Sequence, residues 1–208
     1  MNILLSFLFP VLGYLSGSLP FSIWVTRSVK GVDVRDAGSG HATTTNTIRQ
    51  AGFGWGALVL ILDITKGFLP TYLALLVVRD NTSYSQSIPP YIVPLTTACA
   101  VIGHCWPLFA QFRGGMGLAT FGGTLLAVNW FAFVIALGLL LILTLTIHHG
   151  ARASVATGIL MAPVFWLFNL RGIEFWIAIA GGLVIAYRFI IDWNRQYREL
   201  WLDREKKA

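Results

Sequence analysis

The stretch between residues 31 and 49 carries the residue types that proteins use to bind phosphate. Its chemistry-bearing residues are Arg35, Gly38, Ser39, Gly40, His41, Thr45, Asn46 and Arg49. Glycines let backbone N–H groups turn toward an anion, and hydroxyl and guanidinium groups complete a phosphate cradle. A flexible hydrophilic connection has the same composition. A loop of about 20 residues is nevertheless long for so small a protein, and long loops tend to be functional.

A second polar stretch, residues 103–117, repeats this chemistry. Its polar and glycine residues include His104, Arg113, Gly114, Gly115 and Gly117. A glycine-rich helix N-terminus attracts anions, because unpaired N–H groups and the helix dipole converge there. Two alternatives remain open: an interfacial histidine that is hydrogen-bonded to a carbonyl group, and a tight glycine turn that lets helices pack closely.

Two ionisable residues, Asp63 and Lys66, lie inside the second hydrophobic run. Their spacing of three residues places them on one face of a helix, where they can pair with each other. Ionisable groups at membrane depth are costly, so they indicate a functional site by default. A structural pair that braces the bundle explains the pattern equally well.

A third polar turn adds a few further candidates. Its residues are His148, His149, Arg152 and Ser154. The Ser154 hydroxyl is a candidate phosphate ligand. Because no carboxylate or cysteine lies at ligand spacing from the histidines, we expect neither a metal site nor a cofactor. The cysteines Cys99 and Cys105 do not form a CxxC pair and are expected to act as small apolar residues.

Composition indicates the elements that must position these residues. Of the 208 residues 56% are hydrophobic and only 12% are charged, and the mean hydropathy is +0.70. Soluble domains carry about 25% charged residues, so these values favour an all-α membrane protein, built as a single domain over residues 1–208. The hydrophobic runs fall near 3–26, 53–78, 90–109, 116–128, 130–147, 154–170 and 173–191. They predict a compact bundle of about seven transmembrane helices, although the fourth run is short for a complete span.

The distribution of basic residues predicts the orientation of the bundle. With seven crossings, one side receives twelve of the 15 Lys and Arg residues and the other receives two, Arg79 and Arg171. Cytoplasmic loops carry the excess of Lys and Arg in membrane proteins. We therefore expect the N-terminus outside, and the C-terminus and the polar loops in the cytoplasm.

Several short motifs together resemble the bacterial acyl-phosphate:glycerol-3-phosphate acyltransferase (PlsY) family. The matching stretches are 17–21, 33–35, 38–40, 45–49, 62–67, 103–107 and 114–120. Each of them is weak alone, but they occur in the family's order and at its spacing across nearly the whole chain.

The resemblance implies a function and a set of partners. Proteins of this family transfer a fatty acyl group from acyl phosphate to the 1-hydroxyl of glycerol 3-phosphate and form lysophosphatidate for phospholipid synthesis. It implies a multi-pass protein of the bacterial inner membrane, with membrane lipid around it and no nucleic acid as a partner. The oligomeric state stays open.

The acyltransferase hypothesis assigns a role to each candidate residue. The catalytic residues would be His104, Ser39 and Asn46. The substrate and phosphate ligands would be Arg35, Gly38, Gly40, His41, Thr45, Arg49, Lys66, Arg113, Gly114, Gly115, Gly117 and Ser154.

The chain departs from the family's motifs at several polar positions. His41 and Thr44 replace an Asn and a Gly of the first motif, Met116 replaces the Lys of GGKG, and Tyr187 and Ile190 replace the His and Asn of HRxNI. These changes leave two alternative hypotheses. One is a non-catalytic paralogue that binds a phosphorylated lipid or metabolite, and the other is a transferase with a changed acceptor.

Overall fold

The regular structure of the chain is helical throughout the part that the computed structural model describes, residues 2–80 and 89–195. The helices are α1 (Asn2–Gly17), α2 (Phe21–Lys30), α3 (Thr44–Ala51), α4 (Phe53–Asp80), α5 (Ile92–Cys105), α6 (Leu118–Val128), α7 (Trp130–Ile147), α8 (Gly150–Leu167) and α9 (Ile173–Ile191). Two short 3₁₀ turns, Val34–Asp36 and Leu108–Ala110, lie in the polar loops.

Six helical segments of the described chain are long and apolar enough to cross a membrane. They are Ser6–Lys30, Phe53–Arg79, Ile92–Ala110, Trp130–Ile147, Gly150–Leu167 and Ile173–Ile191. The predicted all-α membrane fold is therefore confirmed. The fourth hydrophobic run forms α6, a helix of 11 residues that rises only about 17 Å, against a hydrocarbon core of about 30 Å. The count of seven spans stays a prediction.

The bounds of two predicted hydrophobic runs differ from those of the helices that they form. The first run is divided between α1 and α2 at residues 18–20, where Pro20 has non-helical backbone angles, φ −92° and ψ 63°. The helix of the sixth run begins earlier than expected, at Gly150, so it includes Arg152 in its first turn.

Helix α5 is central and packs against α1, α4 and α9. Its contact with α1 depends on small residues. A side chain at Gly17 would collide with the carbonyl group of Ala100, and one at Gly103 would collide with the carbonyl group of Tyr14. Membrane helices approach closely where such residues face each other. This close approach fixes the position of the end of α5, which carries His104.

The polar stretches meet at one end of the bundle. The amide of Ala42 in the first loop donates to the carbonyl group of Gly114 in the second, at 3.2 Å. The guanidinium group of Arg152 lies 5.5 Å from the ring centre of Trp193, just beyond α9. The first and second loops, the start of α8 and the end of α9 share one end, because the first loop also contacts the residues just beyond α9. The four basic residues after Arg195 lie outside the described residues.

Candidate active site

A small cavity lies where the first two loops meet α2, α4 and α5. Its volume is about 10 Å³, enough for about one water molecule. The residues around it are Leu19, Pro20, Phe21, Ser22, Ala42, Asp63, Lys66, His104, Pro107, Gly114 and Gly115. Four of the predicted site residues, Lys66, His104, Gly114 and Gly115, are thus brought together at one point.

Asp63 and Lys66 form a buried ion pair in α4. The Nζ atom of Lys66 lies 2.8 Å from Oδ1 of Asp63, and the two side chains are 4% and 3% exposed. Nζ also donates to the carbonyl group of Leu19 at 2.9 Å and lies 5.6 Å from the ring centre of Phe21. The predicted pairing on one helix face is confirmed. Because both residues line the cavity, the pair belongs to the candidate site.

His104 is buried at the end of α5, with its two ring nitrogens in different surroundings. Nδ1 lies 3.1 Å from Oγ1 of Thr120 and 3.7 Å from Oδ1 of Asp63. A carboxylate on that side favours the tautomer with hydrogen on Nδ1, so Nε2 keeps its lone pair. Nε2 lies against Gly115, where a side chain would collide with it. His104 therefore presents a proton acceptor at the cavity wall.

The glycine turn of the second loop is held by the chain's own groups. The amide of Gly115 donates to the carbonyl group of His104 at 3.1 Å. A side chain at Gly114 would collide with that same carbonyl group. Gly117, with a φ of +84°, precedes α6 and packs against Val101. This geometry supports the tight-turn alternative, and the predicted role of these glycines in anion binding stays a prediction.

Asn46 organises the first loop from inside. Its side chain is fully buried, and its Nδ2 donates to the carbonyl groups of Val34 at 2.7 Å, Ala37 at 3.0 Å and His41 at 3.1 Å. These contacts hold the loop in its turn conformation. The predicted catalytic role of Asn46 stays a prediction, while its positioning role is visible in the structure.

Arg35 connects the two loops to each other. Its Nε and Nη2 atoms bind the two oxygens of Asp33 at 2.9 and 2.7 Å, and Nη1 donates to the carbonyl groups of Ala110 and Arg113. The Arg35 guanidinium group holds the pKa of the Asp33 carboxyl well below its usual range. In this structure Arg35 is therefore a link between the loops, and it is not among the described residues that line the cavity.

His41 lies at the centre of a charged cluster that joins the first loop to the end of α9. Its Nε2 atom lies 2.7 Å from Oδ2 of Asp192, and its Nδ1 atom lies 3.2 Å from Nη2 of Arg188. Nε of Arg188 donates to the carbonyl group of Gly115 at 3.2 Å. Arg195 reaches the same histidine and the carbonyl group of Ser39. The cluster lies directly behind the cavity wall formed by Gly115.

Sequence reasoning missed three members of this cluster and Thr120. Arg188 had a usable signal, because it is an ionisable residue within the last hydrophobic run. Asp192 and Arg195 had none, since they follow the helix in a stretch with no motif of its own. Thr120 was visible only as part of the motif after the glycine turn.

Four other predicted residues are absent from the lining of the cavity. Thr45 and Arg49 lie half-buried on α3, and Arg113 is exposed. Ser154 is buried in α8, where its hydroxyl donates to the carbonyl group of Gly150 at 2.9 Å. None of the four is among the described residues around the cavity, so their binding roles stay predictions.

The turn at Gly38 offers a direct test of the loop's construction. Gly38 and Gly31 both have positive φ, +62° and +71°, which costs an alanine about 1–2 kcal/mol. A side chain at Gly38 would also collide with Oδ1 of Asn46, whereas Gly31 faces open space. We expect Gly38→Ala to lower the unfolding temperature in detergent clearly more than the control Gly31→Ala. Equal losses would show that Asn46 does not hold the loop.

The fold and the site together define a multi-pass membrane protein with a buried ionisable site at one end of a helical bundle. The chain belongs to the glycerol-3-phosphate acyltransferase family, whose model matches residues 7–199. The resemblance found in the sequence motifs is thereby confirmed.

Relatives with this description are similar over most of the chain. The glycerol-3-phosphate acyltransferase of Thermotoga petrophila is 35% identical over 78% of this chain and 78% of its own. That of Listeria monocytogenes is 34% identical over 91% of this chain and 88% of its own.

Two solved structures share the fold. A crystal structure of PlsY, an integral membrane glycerol 3-phosphate acyltransferase in its glycerol 3-phosphate form, has a TM-score of 0.75 and 28% identity, and the match covers 98% of this chain and 96% of that one. The lysophosphatidic acid form of PlsY has a TM-score of 0.74, also with 28% identity, over 91% of this chain and 90% of that one.

Proposed function

We propose that this protein transfers a fatty acyl group from acyl phosphate to the 1-hydroxyl of glycerol 3-phosphate and so forms lysophosphatidate. The observation that carries the proposal is the match of nearly the whole chain to a PlsY structure in its glycerol 3-phosphate form. At one end of this shared bundle a buried histidine lies beside an ion pair. The site therefore combines a proton acceptor with nearby cations, as transfer between two phosphorylated substrates requires.

His104 is the proposed base. As the glycerol oxygen attacks the acyl carbon, Nε2 takes the proton of the hydroxyl group. The bond between the acyl carbon and the phosphate oxygen then breaks, and inorganic phosphate leaves with the electron pair. Asp63, 3.7 Å from Nδ1, stabilises the imidazolium that forms. Acyl phosphate is already activated, so orientation and charge stabilisation suffice without a covalent enzyme intermediate.

Cations near the cavity would hold the two phosphate groups. Lys66 lies at the cavity wall, and Arg188, with 8% of its surface exposed, lies directly behind Gly115. Arg49 lies on α3, which follows the first loop, and Arg113 lies on the second loop. Guanidinium groups suit this task because they bind phosphate oxygens in pairs.

The charge distribution supports a location and an orientation. With seven crossings, the sequence assigns twelve of the 15 basic residues to the side of the loops that form the site, which corresponds to the cytoplasm under the positive-inside rule. We therefore place the protein in the bacterial inner membrane with its site facing the cytoplasm. Glycerol 3-phosphate would enter from that side, and the acyl chain would lie between helices.

The test is acyl transfer by purified protein in detergent. Labelled glycerol 3-phosphate is mixed with palmitoyl phosphate, or with palmitoyl-CoA as the competing donor. We expect labelled lysophosphatidate with palmitoyl phosphate alone. Product formation with palmitoyl-CoA would overturn the donor assignment.

Arg49→Ala is expected to abolish this transfer, because it removes one of the cations proposed to bind phosphate. The control is Arg171→Ala. Arg171 stacks on Trp166, with 4.2 Å between its guanidinium carbon and the ring centre, between α8 and α9 and away from the site. Undiminished turnover by Arg49→Ala would contradict the assignment of Arg49.

A binding protein without catalysis is the second candidate function. Met116, which occupies the Lys position of the GGKG motif, is 7% exposed and belongs to the hydrophobic core. The lost charge is thus replaced by apolar packing. Saturable binding of glycerol 3-phosphate without product, beside an active family member, would favour this function, and so would binding of a different phosphorylated metabolite.

A further inference from the structure

Arg195 lies on the first loop although it follows the last helix. Its Nη1 atom is 3.1 Å from Nε2 of His41, and its Nη2 atom contacts the carbonyl oxygen of Ser39. Nη2 also lies 3.5 Å from the position that a side chain would occupy at Gly40. The guanidinium group therefore rests on three consecutive residues of the loop that carries the phosphate-binding residue types.

The groups around His41 determine which of its two ring nitrogens accepts a hydrogen bond and which donates one. Arg188 can only donate, so Nδ1, which lies 3.2 Å from it, must be the acceptor. The carboxylate of Asp192 can only accept, so Nε2, at 2.7 Å from it, must carry the hydrogen. The neutral imidazole satisfies both requirements. Burial and the adjacent Arg188 also lower the pKa of His41, which favours the neutral form.

This assignment leaves one contact of Arg195 unfavourable. Nε2 of His41 directs its hydrogen to Asp192, so Nη1 of Arg195 meets a donor instead of an acceptor. An anionic oxygen beside Nη1 would supply the acceptor that His41 does not. The side chain of Arg195 is exposed, so a ligand arriving from solvent can reach it.

The local charge also suits an anion. The cluster contains the guanidinium groups of Arg188 and Arg195 and the carboxylate of Asp192. With His41 neutral, these three groups sum to one positive charge. Arg188 borders Gly115 at the cavity wall, and Ala42, next to His41, is itself part of that wall. An anion in this position would lie next to the cavity.

We propose that Arg195 binds the phosphate group of a substrate and exchanges its contact with His41 for two phosphate oxygens. The ligand is a terminal, dianionic phosphate group. It belongs either to glycerol 3-phosphate, a phosphate monoester, or to acyl phosphate. This inference rests on the proposed function for the identity of the ligand. It adds to the site a residue that none of the sequence motifs contains.

The experiment measures binding and turnover separately in the full-length protein. The dissociation constant of glycerol 3-phosphate is measured by titration calorimetry, and KM and kcat are measured for glycerol 3-phosphate and for palmitoyl phosphate. The variants are Arg195→Ala and Arg195→Lys. The control is Arg27→Ala, which removes another guanidinium group at the same end, one that is 58% exposed and bound to Asp33.

We expect Arg195→Ala to raise KM for one of the two substrates about fivefold, as for an exposed ionic contact. The substrate that is affected identifies the phosphate group that Arg195 binds, and a shift for glycerol 3-phosphate is matched in its dissociation constant. Arg195→Lys restores part of the loss, and Arg27→Ala changes neither quantity. Raised ionic strength reduces the difference between wild type and Arg195→Ala.

Two results would overturn the inference. One is an unchanged KM for both substrates together with an unchanged dissociation constant. The other is a fall in kcat alone with a lower unfolding temperature, which would make Arg195 only a tie between α9 and the loop. If the wild-type protein binds glycerol 3-phosphate but forms no product, the proposed function fails. The dissociation constants of the wild-type protein and the variants for glycerol 3-phosphate, and for palmitoyl phosphate measured in the same way, then still decide the role of Arg195.

Discussion

Replacing His104 by alanine is expected to lower kcat/KM for acyl transfer by about 100- to 10,000-fold. The imidazole lies at the cavity wall with Nδ1 turned to Asp63 and Thr120, so the variant loses the group proposed to accept the hydroxyl proton. Labelled lysophosphatidate formation at saturating palmitoyl phosphate measures the loss. Unfolding temperatures in detergent show whether the variant is folded.

A second substitution separates proton transfer from positioning. Glutamine at position 104 can donate and accept hydrogen bonds but cannot take up a proton near neutral pH. If His104 is the base, His104→Gln is as inactive as His104→Ala; if it only positions the substrate, glutamine restores much of the rate. His148→Asn is the matched control, because His148 is an exposed histidine at another turn. Activity in His104→Ala within a fewfold of wild type would remove His104 from the mechanism.

Removing one partner of the buried ion pair is the second change with a large expected effect. Lys66→Met leaves the Asp63 carboxylate buried without its ammonium partner, and breaking such a pair costs about 3–5 kcal/mol. We expect a marked fall in the free energy of unfolding, measured by denaturant titration in detergent. The double variant Asp63→Leu/Lys66→Met removes both charges and is expected to recover most of this stability.

Activity then decides between the two interpretations of the pair. The recovered double variant is expected to stay inactive, because the carboxylate near Nδ1 of His104 and the cation at the cavity wall are both gone. Wild-type turnover in the double variant would show that Asp63 and Lys66 only brace the bundle. An unstable double variant would show that the charges are required for packing.

The sequence by itself determined the features that depend on local patterns. A low content of charged residues and long apolar runs require helices in lipid, because every backbone polar group there must find a partner within its own segment. The spacing of Asp63 and Lys66 follows from the helical repeat alone, and the pair is present as predicted. Ordered motifs also indicated the family, which the match over residues 7–199 confirms.

Only the tertiary structure decided which of the polar residues share a site. His41 and Asp192 are 151 positions apart in the chain, and helix packing alone brings them together. The same packing directs Arg35 to the carbonyl groups of the second loop and buries Asn46 inside the first. A guanidinium or amide group in a polar loop can bind a ligand or the backbone equally well. Its partner is fixed by the approach of other helices, which no local pattern encodes.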